Sequence, residues 1–298
     1  MERKDRIDAT GAIILIVFMA VLGGNQVAIK IVNDGLGPLF QAAMRSVCAG
    51  VLIFGLCAWR GIKIDVSRAI LIPGLATGFC FAFEFALLFK AIEYTTVARS
   101  TVFFYTMPFW VAIAAHFLIP GERLTPVRIA GLVLAGLGVV IALSNENTQA
   151  GPNAFLGDLM ALLGATGWAA IAIIARTTKF STIKPELQLL YQLVVSAILL
   201  VPLSLYVGDT IRDLTSAHLV LFSMQVVFVV CIGFLTWFWV LSIYPASDMA
   251  SFSFLGPLFG LIFGWLVLDE KITSTIVIAL VLVAIGIVLV NRKAKPSE

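Results

Sequence analysis

Runs of about twenty apolar residues recur along the whole chain, and that is the length of helix needed to cross the ~30 Å hydrocarbon core of a bilayer. Lipid offers a backbone no water to bond, so segments of this kind must satisfy their own amides and read as helices. Only 12% of the 298 residues are charged, against about a quarter in a soluble domain. The expected fold class is therefore an all-α integral membrane protein. Ten spans are placed at about 11–31, 38–58, 69–91, 96–118, 127–144, 155–176, 185–206, 217–241, 246–268 and 274–291.

One stretch of the chain occurs twice. RSTVFFYTMPFWVAIAAHFLIPGERLTPVRIAGLVLAGLGVVIALS runs from Arg99 to Ser144, and DMASFSFLGPLFGLIFGWLVLDEKITSTIVIALVLVAIGIVLVN from Asp248 to Asn291. Aligned with one gap, Pro108 falls on Pro257, Glu122 on Glu270, Thr125 on Thr273 and Gly138 on Gly286. Earlier in each half, Pro38, Gln41 and Arg45 match Pro185, Gln188 and Gln192. A duplicated five-helix unit follows: a first repeat over 1–146, a second over 154–291 and a short tail over 292–298, divided at the polar NENTQAGPN segment. Five spans per repeat is an odd number, so the second repeat enters the membrane from the opposite face.

Lysine and arginine set the orientation. With the N-terminus inside, the inner segments hold Arg3, Lys4, Arg6, Arg60, Lys63, Arg68, Arg123, Arg128, Arg176, Lys179, Lys184, Arg292, Lys293 and Lys295. The outer ends hold Lys30, Lys90, Arg99, Arg212 and Lys271, and Arg45 lies within a span. Both termini are expected in the cytoplasm. MERKDRIDAT followed by an apolar run mimics a signal peptide, but the run spans and no A-x-A site follows it, so it reads as an uncleaved first helix. Cys48, Cys57, Cys80 and Cys231 lie in apolar runs without C-x-x-C spacing and read as small packing residues. The net charge of +3 carries no nucleic-acid signal.

Local chemistry marks the turns. Thr125-Pro126 reads as an N-cap followed by proline at the first helical position, and Thr273 is the equivalent cap. Gly131, Ala135, Gly136 and Gly138 on span five, with Ala279, Ala284 and Gly286 on span ten, allow close helix approach.

A proline-bearing helix, then GERLTP or DEKITS, then a small-residue helix, twice in a ten-span chain, resembles the EamA-type drug/metabolite transporter superfamily. Within it the chain is similar to bacterial aromatic amino acid exporters. The resemblance covers nearly the whole chain. It implies ten helices in two inverted repeats, a bacterial inner-membrane location and export of amino acids or related metabolites, and it calls for no cofactor. Gln192 where the first repeat has Arg45 makes any charge role there asymmetric.

Counted at ~1.5 Å per residue, Gly23, Gly24, Pro108, Trp168 and Pro257 all fall about 16–20 Å into their spans. Paired prolines free carbonyls and bend helices near the midplane, where inverted-repeat transporters place their substrate; in membrane helices they also serve only to kink. The candidate substrate-binding residues are Asn25, Tyr105, Pro108, Trp168, Pro257 and Phe252. Aromatic rings at Tyr105, Trp168 and Phe252 suit an apolar or aromatic ligand, although most phenylalanines in such a chain serve packing. Arg45 and Glu84 are charges inside apolar spans and are expensive there. They read either as a structural ion pair or as a substrate carboxylate ligand and a proton-coupling acid.

No H-E-x-x-H, G-x-S-x-G or P-loop is present, so neither metal, catalytic set nor ATP site is expected. The expected function is secondary export of small organic metabolites by alternating access. An antiporter of phosphorylated metabolites or nucleotide sugars would line its cavity with several Lys/Arg. A non-transporting scaffold or receptor subunit would have no use for midplane residues. Monomer and homo-oligomer stay open.

Overall fold

The structure, a computed structural model, describes residues 7–120, 124–144, 151–244, 252–253 and 255–290. Among these residues no strand forms, and one isolated bridge pairs Leu36 with Ile211. The helices are α1 (Ala9–Gly35), α2 (Pro38–Trp59), α3 (Arg68–Tyr94), α4 (Val97–Phe104), α5 (Met107–Leu118), α6 (Pro126–Leu143) and α7 (Ala154–Thr177). They continue with α8 (Pro185–Val207), α9 (Ser216–Met224), α10 (Phe234–Ile243), α11 (Leu255–Leu268) and α12 (Ser274–Val290).

Among the described residues, eight stretches are long and apolar enough to cross a membrane: α1, α2, α3, α4 with α5, α6, α7, α8, and Ser216–Trp237. Two more apolar helices, α11 and α12, are shorter, at 14 and 17 residues. The expected beginning of span nine lies outside the described residues, as do Glu122 and the first part of the polar linker. Large apolar side chains such as Ile13, Val51, Leu137, Phe228 and Trp265 stand exposed around the bundle. This is the surface of a chain whose solvent is lipid, a multi-pass membrane protein.

The expected turn chemistry is present. Thr125 caps α6 by accepting the Arg128 amide at 3.3 Å, with Pro126 at its first position, and Thr273 accepts the Ile276 amide at 3.3 Å. The two histidines serve helix ends: the Leu124 amide donates to His116 Nδ1, and His218 completes a capping box with Thr215 on α9.

Two expected spans are not continuous α-helix. Span four breaks at Tyr105-Thr106, and Pro108 lies in the first turn of α5. Proline has no N–H to give and its ring clashes with the carbonyl four residues back, so the chain ends one helix and starts another. Local bonds cover the break: Thr106 Oγ1 donates to the Phe103 carbonyl at 2.6 Å, and the Phe109 amide donates to the Thr106 carbonyl at 2.9 Å. Span eight is α9 and α10 joined by a π-wound stretch from Gln225 to Gly233.

Small residues set the packing. On α6 and α12, which run antiparallel, a Cβ on Gly131 would meet the Gly286 carbonyl at 2.9 Å and one on Gly138 the Ala279 carbonyl at 2.9 Å. Along α7, Gly157, Gly164 and Gly167 face Ala91, Glu84 and Cys80 of α3 in turn. Gly260 and Gly264 of α11 face Thr101 and Val97 of α4, and Gly256 faces Tyr105 just past its end, again antiparallel, while Gly23 of α1 abuts Gly260. Between α2 and α8 the Ser46 and Ser196 hydroxyls bond at 2.9 Å. Close approach of this kind drives association where lipid removes the hydrophobic incentive.

Candidate functional site

The break between α4 and α5 places an aromatic junction deep in the bundle. Tyr105, 2% exposed, presses its ring on the bare face of Gly256, next to Pro257 at the start of α11. Phe104 meets Tyr105 edge to face at 6.1 Å and the indole of Trp168, on α7, at 5.7 Å. Tyr105 and Trp168 are thus joined through Phe104, with Gly256-Pro257 against the Tyr105 ring, and Pro108 lies three residues on in the first turn of α5. Phe252 stands apart from them, against Leu15, Val240, Ile243 and Tyr244. Asn25 is buried on α1, and its Oδ1 has no hydrogen-bond partner.

The end of the bundle where α1 finishes is held by a set of polar contacts. Asp158 on α7 is fully buried and accepts from Arg99 Nε and Nη2 and from Thr95 Oγ1, the last at 2.9 Å. Glu270, after α11, accepts the Val97 and Ala98 amides at 2.6 and 2.9 Å, so a carboxylate caps the α4 N-terminus. Burial pushes its carboxyl up, against the opposing pull of those two amides. Lys30 Nζ donates to the Ile92 and Thr95 carbonyls at 2.6 and 2.8 Å, tying α1 to the end of α3. Thr101 Oγ1 donates to Gln26 Oε1 at 2.7 Å, tying α4 to α1. Arg212 bridges Glu93, Asp209 and the Asn33 carbonyl. A polar hollow of about 190 Å³ lies beside Lys30, Glu93, Thr95 and Asn153.

By sequence Arg99 and Lys30 read only as charges at the outer ends of spans, and Asp158 carries no reading. The readable signal was an acid inside an apolar run, FLGDLMALLGA, which demands a buried partner. Glu270 was aligned on Glu122 without a role. Its cap joins residues far apart in sequence, so spacing alone does not reveal it.

Arg45 and Glu84 are both buried, but they form no ion pair. Arg45 instead lies over two aromatic rings of α3, its guanidinium carbon 4.0 Å from the Phe85 centroid and 4.6 Å from that of Phe89. One turn nearer the start of α2, Gln41 Nε2 donates to Gln225 Oε1 at 3.3 Å. Gln188, also singled out in the sequence, is spent on the Ile183 carbonyl, and the Tyr191 hydroxyl on the Asp65 carbonyl.

A helical bundle faced with exposed apolar side chains, and carrying polar and aromatic groups in its interior, defines a multi-pass membrane protein. The EamA-like transporter family matches it twice, over residues 9–144 and 155–292, and the chain belongs to that family. Uncharacterized transporter YoaV of Bacillus subtilis (strain 168) is 24% identical over 90% of this chain and 91% of its own length. The probable amino-acid metabolite efflux pump of Escherichia coli (strain K12) is 27% identical over 96% of this chain and 94% of its own. The aromatic amino acid exporter YddG of Ancylobacter novellus is 26% identical over 58% of this chain and 60% of its own. A crystal structure of 17% sequence identity superposes with a TM-score of 0.69, covering 94% of this chain and 97% of that one, and shares its fold.

Proposed function

We propose that this transporter exports amino acids, with apolar or aromatic side chains favoured, across a bacterial inner membrane by alternating access. Ten spans in two inverted repeats form its frame, with both termini in the cytoplasm. The observation that carries the reading is the junction of Tyr105, Phe104 and Trp168 against Gly256-Pro257, an aromatic patch where one helix is already broken. The antiparallel run of α6 against α12, and of α4 against α11, supports an odd number of crossings per repeat. The charges at the finishing end of α1 are engaged with protein groups, Arg99 with Asp158 and Lys30 with carbonyls. This speaks against a cavity lined with free cations for phosphorylated substrates. On the proposed orientation that end is the outer face, and its contacts hold the outer gate shut.

Topology is tested by labelling. A cysteine placed at Asn147 should react with an impermeant maleimide in intact cells, and cysteines at Ser67 or Pro296 only after permeabilisation. The reverse pattern at either end would sink the inverted arrangement.

The site is tested by truncating its rings. Trp168→Ala and Tyr105→Ala should weaken counterflow of phenylalanine or tryptophan in proteoliposomes several-fold more than that of alanine or valine. A stacking partner is worth about 0.5–1.5 kcal/mol beyond the area it buries, so loss should be partial. Equal losses for all substrates at normal surface expression would mean that the rings only pack.

A further inference from the structure

Several buried polar atoms on three different spans have no partner, and their spacing along those helices brings them to the same half of the bundle. Arg45 is 1% exposed and its Nη2 finds no acceptor; the Phe85 and Phe89 rings hold the cation without taking its hydrogen bonds. Gln41 and Gln225 bond once to each other, which leaves Gln41 Oε1 and Gln225 Nε2 unpartnered. Asn25 Oδ1 on α1 is likewise unpartnered. Glu84 on α3 is buried, close enough to act on Arg45 electrostatically, and forms no ion pair with it. Measured from the ends of their helices at ~1.5 Å per residue, these groups lie about 5–15 Å inside the end where α1 finishes.

Such atoms are rare in folded proteins because each has given up water for nothing. Lipid makes the exchange worse, and charged groups are kept within a membrane chiefly where they act. A further observation falls on the same spot. Gln225 is the first residue of the π-wound stretch, a rare geometry that concentrates at functional sites.

These groups divide by chemistry. Arg45 Nη2 and Gln225 Nε2 are unpartnered donors, and Asn25 Oδ1 and Gln41 Oε1 are unpartnered acceptors; Glu84 adds a buried acidic side chain that forms no ion pair. Two donors including a guanidinium suit a carboxylate, and acceptors including a carboxylate suit an ammonium. We propose that these residues bind the head group of the transported amino acid, Arg45 and Gln225 taking its α-carboxylate and Glu84 with Asn25 its α-ammonium. Glu84 also sits beside the aromatic junction, since a Cβ on Gly167, the neighbour of Trp168, would meet the Glu84 Cβ at 3.0 Å. A head group here therefore leaves its side chain next to Trp168. A phosphate ester or dicarboxylate would bring its second negative charge against Glu84. This assignment rests on the reading of the protein as an amino acid exporter.

The test measures displacement of radiolabelled L-phenylalanine from the full-length protein in detergent. The competitors are L-phenylalanine, L-phenylalaninamide, which lacks the carboxylate, and 3-phenylpropionate, which lacks the ammonium. Wild type should prefer L-phenylalanine to both. Arg45→Gln should lower the preference over the amide by about ten-fold, the scale of one charge-assisted hydrogen bond, and keep the preference over 3-phenylpropionate. Glu84→Gln should do the reverse, and Arg45→Lys should restore part of what Arg45→Gln loses. Gln225→Leu carries the carboxylate arm if Arg45→Gln does not fold. Folded variants that keep both wild-type preferences overturn the head-group assignment while amino acid transport stands. A wild-type protein that drives no amino acid counterflow overturns the export reading and this assignment with it.

Discussion

Asp158→Ala should destabilise the protein by up to about 3–5 kcal/mol, the scale of breaking a buried ion pair by removing one partner. Asp158 is 0% exposed and Arg99 3%. The carboxylate takes a two-pronged contact from the guanidinium and a third bond from the Thr95 hydroxyl at 2.9 Å. Alanine removes the carboxylate that takes all three of these bonds. Melting of detergent-purified protein, followed with a thiol-reactive dye on the four native cysteines, should show a large fall, with lower membrane yield. Replacing both partners by apolar residues of similar volume, Asp158→Leu with Arg99→Met, should recover most of the loss, because desolvating two charges offsets much of what their attraction returns. A double variant as unstable as Asp158→Ala would mean that the pair itself is not what the fold depends on.

The double variant also separates stability from gating. Arg99 opens α4 and Asp158 lies near the start of α7, so the pair joins two helices at the end where Glu270 caps α4. On the proposed orientation this is the outer gate, which must open in each transport cycle. A well-folded double variant should therefore export with a changed rate, since the closed outer state has lost a contact the open state never had.

The membrane fold was legible because its signals are redundant. Length of apolar run, paucity of charge and caps at Thr125 and Thr273 all point to the same helices, and the doubled proline-and-GERLTP pattern points to the family. What the sequence left hidden depends on which helices meet. Glu270 caps a helix more than 170 residues away, so no local window connects the two. Pro108 announced a bend, but the full break at Tyr105-Thr106 depends on Thr106 and Phe109 closing a turn of their own. The π-wound stretch runs through QVVFVVCIG, a sequence with nothing to distinguish it from ordinary apolar helix. Arg45 and Glu84 were visible as deep charges, yet their partners were not: the rings that hold Arg45 come from α3, one of them at the position next to Glu84. Of the candidate substrate residues, Pro108, Trp168 and Pro257 share a depth that counting along the spans supplies, and Tyr105 lies about one turn before Pro108. Phe252 shares the composition of that set and packs elsewhere.

Gly286→Leu should be the most damaging single change on the last helix, for a reason that depends on backbone and not on side chains. A Cβ on Gly286 would lie 2.7 Å from the Gly131 carbonyl oxygen and 3.1 Å from the Ala135 Cβ, and one on Gly131 would lie 2.9 Å from the Gly286 carbonyl. Each glycine thus faces the other helix's main chain, which cannot swing aside as a long side chain would. A leucine must push α6 and α12 apart along a seam that also contains Gly138 and Ala279. Overpacking of a well-filled core costs about 1–3 kcal/mol where neighbours can shift, and a backbone-to-backbone contact puts this case at or above the upper end. The internal control is Gly136→Leu on the same α6, where a Cβ meets nothing within 4 Å. That variant trades a flexible residue for a good helix former on an open face and should melt at or slightly above the wild-type temperature. The comparison holds residue type, helix pair and measurement constant, and changes only what stands opposite. If Gly136→Leu is as destabilised as Gly286→Leu, leucine harms α6 and α12 wherever it is placed. If neither changes the melt, the two helices are not seated on each other through these glycines.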